Sequence, residues 1–171
     1  MKIARLCLAV MALVLVATFP VMAKSPEGQT LGLKASDFQT RFNDAAVRVN
    51  ASIRADNVEI KQAEAGMILK TAFSPSVRLW GTMDQSGNEL NKMSMLFAGG
   101  DKNEASRFIV CAVILVEMCS PGLEQKGCLA LLKDMGFFDP DHQKGECTRD
   151  GVRYTFSKES GVGIMFVVAA I

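Results

Sequence analysis

The chain changes its hydrophobic period more than once. Between residues 38 and 49, Phe38, Phe42, Ala46 and Val49 recur every three or four positions, the spacing of one helical stripe. Ser36 precedes the stripe and Gln39 follows three residues later, a capping-box pattern, so a helix is predicted to open at Ser36. From residue 58 the period drops to two. Val58 and Ile60 alternate weakly. Met67, Leu69, Thr71 and Phe73 share one side of their segment, Val77, Leu79, Gly81 and Met83 the next, and Met93, Met95 and Phe97 the one after. These read as four strands. The short breaks "SPS" and "DQSGNE" make them an antiparallel meander.

Helical spacing returns after "AGGDKNEA", with Asp101 as N-cap and Glu104 three residues on. Phe108 to Val116 is apolar for nine residues, closed by Arg107 and Glu117. A membrane span needs about 20 such residues, so this is predicted to be a buried core helix, ended by Ser120-Pro121-Gly122. "LEQKGCLALLKDMGF" predicts a second, amphipathic helix. Asp150-Gly151 marks a hairpin, with Val152, Tyr154 and Phe156 on one side and Arg153 and Thr155 on the other. "VGIMFVVAAI" is apolar on both faces, as in an interior strand. Grouped strands and grouped helices predict an α+β fold. Its antiparallel sheet has about seven strands, the four-strand meander plus three C-terminal strands, with helices packed on one face.

The first residues have a different pattern. Lys2 and Arg5 precede an apolar run from Leu6 to Phe19, and Val21 and Ala23 suit a signal-peptidase site. Residues 1–23 therefore read as a cleaved signal peptide, 24–35 as a flexible lead and 36–171 as a single α+β domain. The whole chain has 19 Lys+Arg against 18 Asp+Glu. Losing Lys2 and Arg5 leaves 17 against 18, a net charge of −1. Such a balance gives no footprint for nucleic acid or for an anionic membrane. In a Gram-negative host the location would be the periplasm.

Export gives the cysteines a meaning. Cys7 leaves with the signal, and Cys111, Cys119, Cys128 and Cys147 remain, an even number that predicts two disulfides. Cys111 and Cys119 share a helix about 12 Å apart, too far to bridge. The preferred pairing is Cys119–Cys128 with Cys111–Cys147, because the first two flank the "SPG" turn. The swapped pairing, Cys111–Cys128 with Cys119–Cys147, stays open.

Catalytic patterns are sparse. His142 is the one histidine, oxidised cysteines would not be nucleophiles, and no GxSxG, HExxH, phosphate-binding loop or CxxC occurs. A carboxylate pair needs no motif, so a carboxylate-dependent hydrolase is the second alternative. Asp139, Asp141, His142 and Glu146 collect metal-ligating types in one loop, but Lys144 stands where an EF-hand needs glycine, and a solvated acidic loop is the plainer reading. Met83, Met93 and Met95 read as core filler rather than copper ligands. No cofactor is predicted.

One surface stands out. Lys70, Arg78, Trp80, Lys92 and Arg153 take outward strand positions, which would set the only tryptophan among cations on a solvent-facing sheet. The reading is an exported, non-enzymatic binding protein that engages an envelope protein, with an inhibitor or immunity role as one form of this. The first alternative is a binder of a small apolar ligand held between sheet and helices.

Overall fold

In a computed structural model of the protein, residues 29–64 and 66–171 are described. The residues read as a signal peptide and the start of the lead lie outside them. A 3₁₀ turn at Ala35–Asp37 runs into helix α1, Phe38–Arg48. Four strands follow: β1 Glu59–Ala63, β2 Gly66–Ala72, β3 Val77–Met83 and β4 Leu90–Phe97. Helices α2, Lys102–Cys119, and α3, Gln125–Asp134, come next. Strands β5 Lys144–Arg149, β6 Val152–Glu159 and β7 Gly163–Ala170 complete the order.

The strands form one seven-stranded antiparallel sheet in the order β1-β2-β3-β4-β7-β6-β5. The fold is α+β, and β7, apolar on both faces, lies beside β4 in the middle of the sheet. The period-two residues Leu69, Val77, Leu79, Met93, Met95, Tyr154, Phe156, Phe166 and Val168 are buried in one core with Phe38 and Phe42 of α1 and with Phe108 and Cys111 to Val116 of α2. A slip of one residue would turn each of these side chains to water, so burial of one face holds the register. The ring of Phe137, just past α3, stacks on Phe108 at 5.8 Å and meets Phe156 and Phe166 edge-on at 5.4 and 5.7 Å. The space between sheet and helices is thus filled by the protein's own rings, where the apolar-ligand alternative would have placed its ligand. Among the described residues no helix is long and apolar enough to cross a membrane.

The two helix starts behave differently. Asp101 caps α2 as predicted, accepting hydrogen bonds from the amides of Asn103 and Glu104 at 2.9 and 3.0 Å. Ser36 does not cap α1. It lies inside the 3₁₀ turn and its hydroxyl donates to Asp37 at 3.0 Å. The segment from Leu31 to Ala35, read as part of the flexible lead, is held along the start of β4: Leu31 and Leu33 exchange hydrogen bonds with Leu90, both at 2.8 Å, and Leu33 is buried. Its alternation of Leu31, Leu33 and Ala35 is too short for a sequence period to register.

Candidate functional site

The described helices cover one face of the sheet, and among the described residues no element covers the other. Register sets its residues in rows. Lys70, Trp80, Ser94, Val167 and Thr155 stand opposite one another across β2, β3, β4, β7 and β6. Arg78, Leu96, Met165 and Ser157 form the next row, and Lys92, Ala169 and Arg153 the row on the other side. All five residues singled out in the sequence therefore share this face. Along β3 burial alternates strictly, with Val77, Leu79, Gly81 and Met83 inward, Arg78 exposed and Trp80 half-buried. The β-bulge near Thr82 and Met83 lies beyond Trp80 and does not reverse its phase.

The middle of this face is apolar. Trp80, Leu96, Met165 and Val167 are half-buried neighbours, and Ser94 beneath them is only 3 % exposed. Sequence reasoning missed Leu96, Met165 and Val167 as surface residues. The signal was the two-sided apolar run of β7, which fits a central strand with one face left uncovered as well as one covered on both. Beside Trp80, the lining of a depression of about 710 Å³ includes Glu59, Lys70, Ala72, Pro75 and Arg78.

Charge is segregated here. Among the described residues the ion pairs are Arg48–Glu117, Lys61–Glu59, Arg107–Glu104 and Arg149–Asp150; Lys70, Arg78, Lys92 and Arg153 are in none of them, and Lys70 faces Glu59 across the β1–β2 ladder without pairing to it. Carboxylates on this face stand at its margins: Glu59 on edge strand β1, Glu146 on edge strand β5 and Glu159 at the end of β6. Partial burial, and then the neighbouring charge of Arg153, hold the Lys92 ammonium below the usual lysine range.

The cysteines require a correction. Cys111, Cys119, Cys128 and Cys147 are all free thiols, and neither predicted disulfide is present. Cys147 stands opposite Tyr154, whose hydroxyl meets Ser120 beyond the end of α2. Cys111 is nine residues back from Ser120, roughly 13 Å along the helix, outside bridging range. The Cys128 thiol turns toward the Leu123 carbonyl at 3.7 Å rather than toward Cys119. Burial pushes the Cys119 thiol up to about 12 and the Cys128 thiol up to about 11.

The metal-like loop comes apart in space. The His142 ring lies against Gly136 and near Phe156, while Glu146 is on the opposite side of the sheet, and among the described residues no three His, Cys, Asp or Glu side chains are grouped for a metal ion. The one deeply buried carboxylate among the described residues, Glu117, is gripped by both nitrogens of the Arg48 fork at 2.5 and 2.8 Å. Such a carboxylate has its oxygens occupied and is poorly placed to take a substrate proton. Comparison with models of known families, with curated proteins and with solved structures returns no match.

Proposed function

We propose that the protein is exported and acts by binding, through the open face of its sheet, an acidic surface on another envelope protein. The observation that carries this reading is the juxtaposition, on an uncovered face, of a half-buried apolar centre around Trp80 with four cations that have no partner among the described residues. Tryptophan, methionine and arginine are the residue types that anchor protein interfaces, and a central anchor with a charged surround matches their usual layout. An acidic protein partner suits the charge. A nucleic acid suits it less well, because the apolar residues hold the centre and the chain as a whole is nearly neutral.

Site-specific photo-crosslinking in living cells tests this. A benzophenone side chain at Trp80 or Met165 should capture one protein, and the captured peptide should be rich in aspartate and glutamate. The same probe at Val47 or Leu129, exposed on the helix side, should not. Capture from the helix side alone, or crosslinks to nucleic acid, would refute the interface. Export is tested separately: the envelope-fraction protein should begin at Lys24 by mass spectrometry, and an intact leader would refute it.

A further inference from the structure

We propose that Lys92 and Arg153 form a clamp for a carboxylate, set over Ala169, which receives an aspartate or glutamate side chain of the partner. This deepens the reading of the open face as an interface and rests on it. Lys92 on β4 and Arg153 on β6 are both register partners of Ala169 on β7. Adjacent strands lie about 4.8 Å apart, so the two cations start about 10 Å from each other on either side of a methyl group. Their stems are long enough to converge over it. Ala169 is only 7 % exposed although no helix among the described residues covers its face.

The members that flank the two cations, Thr82 beside Lys92 and Thr148 beside Arg153, are uncharged, and the far end of the row holds Ile68 and then Lys61, which is paired with Glu59. Neither cation has an ion pair among the described residues. The depressed Lys92 ammonium fits this geometry, since its causes are dehydration and then Arg153. Two cations in a partly dehydrated place repel each other, and one carboxylate between them relieves that repulsion. The planar arginine fork suits two oxygens held side by side, and the lysine ammonium adds a point charge. Ala169 offers no side-chain donor beneath them. The clamp therefore matches a group with two oxygens better than a phosphate with more to satisfy.

The test is a nuclear magnetic resonance titration of the folded mature chain with a blocked glutamate, N-acetyl-glutamate amide, replacing chloride at constant ionic strength, with inorganic phosphate in parallel. A saturable shift should appear at the Ala169 methyl and the Arg153 side chain, and the Lys92 pKa should rise. Both effects should vanish in K92Q/R153Q with the rest of the spectrum unchanged. Arg153→Gln alone should raise the Lys92 pKa in the free protein. A non-saturating shift, a shift that survives in K92Q/R153Q, or tighter phosphate binding would overturn the clamp. In the partner complex, K92Q/R153Q should weaken affinity at least tenfold. If crosslinks from Trp80 persist and affinity changes less than twofold, the clamp is wrong and the interface stands. If the clamp binds blocked glutamate but the open face yields no crosslinks, the interface reading fails, and the clamp's role in it.

Discussion

Tyr154 and Ser120 join their hydroxyls in a buried hydrogen bond of 2.7 Å, which ties β6 to the residue that ends α2. Burial holds the phenol well above its usual range, opposed by the bond to Ser120. Tyr154→Phe keeps the ring and leaves the Ser120 hydroxyl buried without its partner, so it should cost about 1–3 kcal/mol. Urea unfolding measures this. Adding Ser120→Ala should cost little more, because the stranded group is then gone. Fully additive losses would mean that the two hydroxyls act separately.

The thiols make stability fall in alkali. Cys119 and Cys128 are raised in the folded protein to about 12 and about 11, from an ordinary value of 9.0. The unfolded chain therefore loses these protons first as pH rises. Stability is fully present below about pH 9 and declines as pH climbs toward 11–12. The urea midpoint should be lower at pH 10.5 than at pH 8, and less so in Cys119→Ala/Cys128→Ala. Native protein should show a fast thiol at half-exposed Cys147 toward an aromatic disulfide reagent, with the three buried thiols reacting only on unfolding. A native protein with no titratable thiol in denaturant would contradict the free-thiol arrangement.

Arg48 is half-exposed and its partner Glu117 is not. Removing Arg48 strands a buried carboxylate, which costs about 3–5 kcal/mol when fully desolvated and less where one partner reaches water. Arg48→Ala should accordingly lose about 2 kcal/mol. Arg48→Met with Glu117→Leu should recover much of that loss, since no charge is left behind. A double variant weaker than Arg48→Ala would mean that the pair itself stabilises the helix contact.

Trp80→Ala separates an anchor from a core residue. A core aromatic costs about 3–5 kcal/mol when truncated. Half-buried Trp80 on the open face should cost under about 1.5 kcal/mol in urea unfolding. Its fluorescence, the only tryptophan signal in the chain, should be quenched by iodide. Affinity for the crosslinked partner should drop by about 2 kcal/mol or more. A blue-shifted, unquenched emission would place the ring inside the molecule.

What could be read in advance depended on burial of one face. Strand phase from Met67 to Phe97 was legible because a two-residue period has only one phase that hides Leu69, Val77, Leu79 and Met95. Asp101 was legible as a cap because its pattern sits directly before an apolar run. Ser36 has the same pattern, but the chain is already turning in a 3₁₀ bend when it reaches that residue. The pairing of β4 with β7 bridges residues about seventy positions apart, which no local period encodes. The same holds for Arg48 and Glu117, and for Lys92 meeting Arg153 across Ala169. The cysteine pairing rests on number, compartment and the short turn between Cys119 and Cys128, and none of these specifies where the sulfurs point.

Strand β7 has one further consequence. The ladders β1–β4 and β5–β6 share no hydrogen bond except through it. A nascent chain that has passed residue 97 but not reached Gly163 can hold the first ladder, the helix layer and, at the longest, a separate β5–β6 hairpin, with most of the β4 edge unpaired. Such an edge invites another strand. The molecule therefore passes through its most adhesive form just before the strand that joins its two ladders is made, and a holding factor that releases it only after Ala170 would have the greatest effect on its yield.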